Sequence, residues 1–205
     1  MLDDVIDVMG YKVFSESLDK IELNEGKIVV NTINPHSYVT AKSDKIFNDA
    51  LKDSDILIPD GSGIVLAAKL INGDKINKIA GADLHQHLLG KLDMKGGSVF
   101  YVGASQETLD KIKARLFSDF PNINVGIYSP PFKKFFTHDD NLKIIEKINN
   151  FNPDVLFVGM TAPKQEKWLY LNKAKLNFKV ASSIGAVFDF YAGNTKRAPQ
   201  WMIDF

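Results

Sequence analysis

Small and polar residues follow the predicted β-strands, at the points where helices are expected to begin. They are Thr32 and Asn34, the run Asp60-Gly61-Ser62-Gly63, Gly103, Gly159 with Gln165 shortly after it, and Gly185. Backbone N–H groups at a glycine-containing helix start can approach an anion, and the helix dipole favours negative charge there. Tight strand-to-helix packing explains any one of these glycines, but four such turns at one sheet edge favour a nucleotide.

Asp60 carries the most chemical information of these residues, because it follows an apolar strand and precedes a glycine-flanked helix start. One interpretation is a helix N-cap, a position that Asp fills well. The other is a general base that takes a proton from an attacking hydroxyl group. In that second case the amides of the Gly61-Ser62-Gly63 run would hold a leaving diphosphate. The residues alone leave both interpretations open.

Two further segments could contact the same ligand. Gln165 lies in the first turn of a predicted helix, and its amide can both donate and accept hydrogen bonds, which suits a sugar or a base edge. Lys196 and Arg197 belong to a basic turn, which is either a solvated loop or the charge that neutralises a phosphate leaving group.

Several competing motifs are absent or misplaced. The chain has no Walker A pattern and no Gly-x-Gly-x-x-Gly after a strand, which argues against a P-loop NTPase and a dinucleotide oxidoreductase. A serine-hydrolase elbow would need glycine at Asp60. Asp53-Ser54-Asp55 precedes its strand and is interpreted as a helix-to-strand turn. Asp83, His85 and His87 are two residues apart and do not share a helix face, so no metal site is predicted.

The elements that must position these residues alternate along the chain. Strands are predicted at 27–32, 55–59, 98–103, 123–128, 155–159 and 179–184, and helices at 46–51, 83–92, 105–117, 140–150 and 163–170, with further helix starts at Pro35 and at Ser62 or Gly63. Such alternation predicts an α/β fold with a mostly parallel sheet and helices on both faces. The Met94-Lys95-Gly96-Gly97 break divides it into two fused α/β halves.

Composition limits the partners. The 205 residues include 25 basic and 25 acidic side chains and no cysteine. Zero net charge argues against a dedicated nucleic-acid binder, and the lack of thiols suits a reducing cytoplasm. We expect neither a signal peptide nor a transmembrane span, since no apolar run approaches about 20 residues. Any membrane contact is therefore expected to be peripheral.

Four sequence blocks occur in an order that resembles the WecG/TagA/CpsF family of bacterial glycosyltransferases. They are Ile58-Pro59-Asp60-Gly61-Ser62-Gly63, Ala80-Gly81-Ala82-Asp83, Ala162-Pro163-Lys164-Gln165-Glu166-Lys167-Trp168, and Gly185-Ala186-Val187-Phe188-Asp189 through Gly193 to Lys196-Arg197-Ala198-Pro199. The likeness runs from about Lys27 to Pro199, and the Ala162–Trp168 block is its most specific part.

The resemblance implies a Rossmann-like architecture and inverting, metal-independent transfer of N-acetylmannosamine, or a related hexose, from a UDP-sugar. The implied acceptor is a polyprenyl-diphosphate-linked sugar at the inner face of the cell membrane, in cell-wall or surface-polysaccharide synthesis. No cofactor is implied. Asp60 corresponds to the proposed base, Thr32 to a second catalytic residue and Gln165 to a pocket residue. The candidate substrate-binding residues are Asn34, Gly61, Ser62, Gly63, Lys78, Asp83, Gly103, Gly159, Gln165, Gly185, Lys196 and Arg197.

The resemblance also divides the chain by role. Residues 1–95 form the half with the catalytic Asp, 96–199 the Rossmann-like half that binds the nucleotide, and 200–205 the start of a truncated C-terminal segment. That segment is expected to reach the membrane surface, and without it an exposed lipid-facing groove would favour a homo-oligomer. Lys78 stands where the family usually has arginine; lysine keeps the charge but not the bidentate geometry, so a different donor preference is expected.

Alternatives from other classes remain at this point. A different UDP-hexose donor fits equally well, because nothing in the sequence distinguishes the sugar epimer. A UDP-binding module without catalysis is a second alternative, although Asp60, Thr32 and Gln165 argue against it. A metal-dependent phosphohydrolase is the third.

Overall fold

The computed structural model describes residues 5–23 and 26–195, so Lys196, Arg197 and the segment 200–205 lie outside the described residues. The strands are β1 (Val5–Val8), β2 (Tyr11–Phe14), β3 (Ile28–Ile33), β4 (Ile56–Pro59), β5 (Ser98–Gly103), β6 (Asn124–Tyr128), β7 (Val155–Gly159) and β8 (Val180–Ser183). The helices are α1 (Pro35–Ala41), α2 (Lys45–Lys52), α3 (Ser62–Asn72), α4 (Gly81–Lys95), α5 (Gln106–Asp119), α6 (His138–Phe151), α7 (Lys164–Asn172) and α8 (Gly185–Tyr191).

Six of the strands form one parallel sheet in the order β4-β3-β8-β7-β5-β6. Thr32 pairs in register with Ile58, and Gly103 with Gly159. Because all six strands run the same way, their carboxyl ends meet at one edge. This arrangement confirms the predicted α/β class and is consistent with the Rossmann-like architecture.

Helices cover both faces of the sheet, as predicted. Along β5, Val99 and Tyr101 pack into one core cluster and Phe100 and Val102 into another. The first cluster is completed by α4, α5 and α8, and the second by α6 and α7. Burial on both sides explains why these strands are continuously apolar rather than alternating.

The first two strands were not predicted. The antiparallel hairpin of β1 and β2 packs Val8, Tyr11 and Val13 against α2, α3 and β4 in a third core cluster. Helix α8 begins at Gly185, where the sequence predicts a helix start directly after the last strand, and buries Val187 and Phe188. Elsewhere the predicted helices and strands are confirmed, with ends that differ by a few residues.

The predicted break at 94–97 coincides with the end of a helix. Helix α4 ends at Lys95, and Gly96 caps it in the left-handed conformation with φ 64°. The strands on the two sides of this break belong to the same sheet, because β8 lies between β3 and β7. Within residues 5–23 and 26–195, no helix has the length and apolar character needed to cross a bilayer.

Candidate functional site

A cavity of about 380 Å³ lies at the carboxyl ends of β3, β4 and β8. Its volume is in the range of small-molecule sites, and its place at the carboxyl edge of a parallel sheet is where such folds bind ligands. The residues that line it are Thr32, Asn34, Asp60, Ala80, Gly81, Ala82, Gln165, Ser183, Ile184, Gly185, Ala186, Val187 and Phe190. Five of them are residues singled out from the sequence.

Thr32 and Asp60 reach this cavity from neighbouring strands. Thr32 is the fifth residue of β3, and Asp60 directly follows β4. The backbone N–H of Asp60 donates to the carbonyl of Ile33 at 2.8 Å, which extends the β3–β4 ladder by one bond and holds Asp60 at the strand end. The N-cap position of α3 belongs to Gly61, so the first of the two interpretations of Asp60 is not the one observed.

The run after Asp60 shapes the wall of the site and does not line it. Gly61 has φ 98°, which favours glycine, and a Cβ on Gly63 would lie 2.4 Å from Cγ of Pro35. The starts of α1 and α3 are therefore in close contact. Asn34 caps α1: its side-chain Oδ1 accepts from the N–H of Ser37 at 2.9 Å, which leaves its Nδ2 as the group that can donate to a ligand.

Gln165 is 6% exposed and uses its amide to join two parts of the cavity wall. Its Oε1 accepts from the N–H of Met160 at 3.1 Å and from the N–H of Gly185 at 3.0 Å. The close approach requires glycine at position 185, where a Cβ would lie 2.5 Å from Gln165 Oε1. Gln165 thus holds the loop after β7 against the start of α8.

The remaining polar side chains of the Ala162–Trp168 block make structural contacts with neighbouring elements. Lys164 Nζ donates to the carbonyl of Lys133 at 2.5 Å, and burial lowers the pKa of Lys164. Lys167 Nζ donates to Asp44 Oδ2 at 2.6 Å, and this hydrogen bond lowers the pKa of Asp44. The Trp168 indole Nε1 donates to the side chain of Asn141. The block therefore fixes α7 in place.

Glu166 differs from the other polar residues of this block, because one of its two carboxylate oxygens lacks a hydrogen-bond partner among the described residues. It is buried, and its Oε1 accepts from Gln165 Nε2 at 2.8 Å. Its Oε2 makes no hydrogen bond within the part of the chain that the structure describes. Burial raises the pKa of Glu166 to about 7.

Gly103 and Gly159 pack against neighbours and are not among the cavity residues. They are paired in β5 and β7, and a Cβ on Gly103 would lie 2.0 Å from the carbonyl oxygen of Gly159. A Cβ on Gly159 would lie 2.4 Å from the ring of Phe188. Their geometry matches the packing interpretation that the sequence also allowed.

Lys78 and Asp83 also lie outside the cavity lining. Lys78 is half-buried in the segment between α3 and α4, which is held to the end of β4 by a 2.9 Å bond from Ile79 N–H to the Pro59 carbonyl. Asp83 is exposed, and its Oδ2 accepts from the N–H of Ala80 at 3.0 Å as part of a capping box. The interpretation of 83–87 as an ordinary helix start is confirmed.

The aspartates before β4 form the predicted helix-to-strand turn. Asp53 is the C-cap of α2 and pairs with Lys173. The Asp55 carboxylate accepts from the N–H of Val29 at 2.8 Å. Both lie at the opposite end of β4 from Asp60.

A second cavity, of about 390 Å³, lies at that opposite edge. Lys27, Asp154, Phe178 and Lys179 are among its lining residues. Asp154 is committed to structural bonds there, since it accepts from Ser98 N–H at 2.8 Å and pairs with Lys179 at 2.8 Å. The carboxyl-edge cavity is the stronger candidate because it holds Thr32 and Asp60.

Eight of the thirteen lining residues were not candidate site residues from the sequence, and Ser183 and Phe190 are the polar and the aromatic residue among them. Ser183 ends β8, is buried, and its Oγ has no hydrogen-bond partner among the described residues. Its position directly before Ile184-Gly185 at a predicted strand end is the signal that could have identified it. Phe190 comes from α8, whose start at Gly185 was expected, but no local signal marked this residue as part of the site.

Comparison with known proteins gives consistent matches. The model of the glycosyl transferase WecG/TagA/CpsF family matches residues 3–205. A Bacillus subtilis (strain 168) protein named N-acetylglucosaminyldiphosphoundecaprenol N-acetyl-beta-D-mannosaminyltransferase is 33% identical over 175 residues, which are 85% of this chain and 66% of that protein. A protein of the same name from Bacillus spizizenii is 34% identical over 90% of this chain and 70% of its own length. One from Staphylococcus aureus (strain MRSA252) is 26% identical over 84% of this chain and 66% of its own length.

Proposed function

The chain belongs to the WecG/TagA/CpsF family of glycosyl transferases, and from this premise we propose that it transfers N-acetylmannosamine, or a related hexose, from a UDP-sugar to a polyprenyl-diphosphate-linked sugar. The names of the relatives support the transferred sugar and the lipid-linked acceptor. The observation that carries the proposal is the cavity that Thr32, Asn34 and Asp60 line together at the ends of adjacent strands.

The reaction is a single displacement at the anomeric carbon. A hydroxyl oxygen of the acceptor attacks that carbon, the bond from the carbon to the diphosphate oxygen breaks, and UDP leaves. Asp60 accepts the proton that the hydroxyl loses. Attack from the face opposite the leaving group inverts the configuration. Thr32 lines the same cavity, and its hydroxyl can donate a hydrogen bond to a substrate oxygen.

Negative charge on the leaving UDP needs compensation. Helix α3 begins at Ser62, two residues after Asp60, and the N-terminus of a helix favours an anion. Lys196 and Arg197 are the basic side chains proposed to contribute the rest. Independence from metal ions and action at the cytoplasmic face of the membrane are part of this proposal.

Replacement of Asp60 by Asn tests the role of the base. Asp60→Asn removes the proton acceptor at nearly constant volume, so we expect turnover of the UDP-sugar to fall by about 100-fold or more while calorimetric binding of UDP is kept. Turnover is measured with a lipid-linked acceptor in the presence of EDTA.

Asp55→Asn is the matched control, because Asp55 lies at the other end of the same strand. An Asn oxygen there can still accept the bond from Val29 N–H. Turnover of Asp60→Asn at the wild-type level would remove Asp60 from the mechanism. Absence of UDP binding by the wild type would refute the nucleotide site, and a strict requirement for Mg²⁺ or Mn²⁺ would refute metal independence.

A further inference from the structure

The loop between β6 and α6 exposes two large aromatic side chains. Residues 130–136 read Pro-Pro-Phe-Lys-Lys-Phe-Phe and are termed here the aromatic loop. Phe132 is fully exposed and Phe135 is 74% exposed. Lys133 and Lys134, also exposed, separate them. Exposed phenylalanines are costly in water, so a cluster of them beside lysines indicates a surface that contacts something else.

Hydrogen bonds hold the aromatic loop in a defined shape. At its start the Ser129 hydroxyl donates to the carbonyl of Ala104 at 2.8 Å, and in its middle Lys164 Nζ donates to the carbonyl of Lys133. At its end Thr137 caps α6. Phe136 turns inward and packs on the core that α6 and α7 cover. The outward direction of Phe132 and Phe135 is therefore a property of the folded chain.

The aromatic loop lies at the same edge of the sheet as the candidate active site. It follows the carboxyl end of β6, and the cavity lies at the carboxyl ends of β3, β4 and β8 in the same parallel sheet. Another exposed phenylalanine, Phe117, is 81% exposed but lies near the C-terminus of α5. Because α5 starts after β5 and returns along the sheet, Phe117 lies toward the opposite edge.

The charges around the aromatic loop leave an excess of one positive charge. The charged residues in and near this loop are the lysines Lys133, Lys134 and Lys164 and the aspartates Asp139 and Asp140. Lys133 pairs with Asp140 at 2.9 Å, and Lys134 lies 5.5 Å from the centre of the Phe135 ring. Aromatic rings together with lysines are the side chains that proteins place at the headgroup level of membranes.

We propose that the aromatic loop docks the protein on the surface of an anionic phospholipid bilayer. Phe132 and Phe135 insert at the headgroup boundary, and Lys134 contacts lipid phosphates. The inference rests on the proposed function in one respect. A lipid-linked acceptor must reach the cavity from the membrane, and docking through this loop would turn the sheet edge that holds the cavity toward the bilayer.

The test is sedimentation of the full chain with lipid vesicles. Vesicles of phosphatidylcholine alone are compared with vesicles that also contain phosphatidylglycerol. We expect the wild type to bind the anionic vesicles, and the double variant Phe132→Ala/Phe135→Ala to bind them at least about tenfold more weakly, since it loses two inserted rings. Lys134→Gln should weaken binding to anionic vesicles more than to neutral ones.

Phe117→Ala is the matched control, because it removes an equally exposed ring from the other edge and should bind vesicles like the wild type. Three results would overturn the inference: no binding of the wild type to anionic vesicles, unchanged binding of the double variant, or an equal loss in Phe117→Ala. Calorimetric UDP binding is measured on the same samples and should be unchanged in the double variant. If the wild type does not bind UDP, the proposed function is refuted, whereas the vesicle result still decides the docking proposal.

Discussion

At the scale of single residues, Glu166 is an ionisable group whose pKa in the folded protein lies near neutral pH. It is buried beside Gln165, and burial raises its pKa to about 7 from an ordinary value of 4.5. The folded protein therefore binds a proton at Glu166 between pH 4.5 and 7 that the unfolded chain releases. A raised carboxyl pKa means that this contribution to stability is present below about pH 4.5 and is lost as the pH rises to about 7.

We predict that Glu166→Gln stabilises the protein above pH 7. The wild type should lose on the order of 3 kcal/mol of unfolding free energy between pH 4.5 and 7 from this group, because one pKa unit corresponds to about 1.4 kcal/mol. Glutamine carries no charge to desolvate and still offers an oxygen to Gln165 Nε2. Urea unfolding at several pH values measures the difference between variant and wild type.

The other ionisable groups contribute equally to the unfolding free energies of the variant and the wild type, so they cancel when the two are subtracted. Burial lowers the pKa of His85 to about 3, so its contribution to stability is lost as the pH falls below about 6.5, in both proteins alike. Replacing Glu146, an exposed carboxyl group on α6, by Gln serves as the control and should keep the wild-type pH profile. A Glu166→Gln profile parallel to the wild type between pH 4.5 and 7 would contradict the prediction.

Residue type and strand position identified part of the site. Thr32, Asn34, Asp60, Gln165 and Gly185 were named because polar or small residues directly after a parallel strand face the binding edge, and all five line the cavity. The same rule could not say which hydrogen bonds Gln165 makes, because its partners at Met160 and Gly185 depend on how two loops meet. Gly159 satisfied this rule but is used for packing, and Asp83, which came from the family resemblance, is used for capping.

At the scale of elements, the contact between β5 and β7 depends on glycine. We predict that Gly103→Ala destabilises the fold by on the order of 4 kcal/mol, because its Cβ would lie 2.0 Å from the Gly159 carbonyl oxygen and its φ is 121°. The close atom belongs to the backbone of a buried strand, so no side-chain rotation relieves the overlap. Denaturant unfolding measures the change.

Gly90→Ala is the opposite case and the control for that substitution. Gly90 lies within α4, and a Cβ there would meet nothing within 4 Å. Alanine should stabilise the helix by about 1 kcal/mol. Equal changes in unfolding free energy for the two substitutions would show that overlap of a Cβ with the Gly159 carbonyl does not destabilise the fold.

Element prediction succeeded where burial on both sheet faces makes a strand continuously apolar, as in Val155–Gly159. The hairpin of β1 and β2 was not predicted, because each strand has only four residues and a two-stranded hairpin is stable only through packing on other elements. The sequence predicts the start of α8 at Gly185 but not its extent, because its seven residues include valine and aromatic side chains of modest helix propensity. Its helical form depends on burial of Val187, Phe188 and Tyr191 in the core.

At the scale of the whole molecule, the last strand joins parts that lie far apart in sequence. Strand β8 pairs with β3 on one side, through Ile28 and Val180, and with β7 on the other, through Val155 and Val180. Residues 1–95 and 96–199 were predicted as two halves of the chain, yet β3 has β8 and β4 as its neighbours. The two halves cannot separate without breaking the backbone hydrogen bonds that β8 makes with β3 or with β7.

We therefore predict that the two halves unfold together. Slowly exchanging amides of β3 and of β7 should exchange with the same free energy of opening, equal to that of global unfolding, because β8 is bonded to both strands. Native-state hydrogen exchange in low denaturant, read by mass spectrometry of peptides from each strand, measures the two values. The peptide of β1 and β2 is the internal comparison, since that hairpin lies outside the main sheet and should open at lower cost. A lower opening free energy for β3 and β4 than for β5 and β7 would mean instead that residues 1–95 form a separate cooperative unit, held to the rest by an interface that β8 does not dominate.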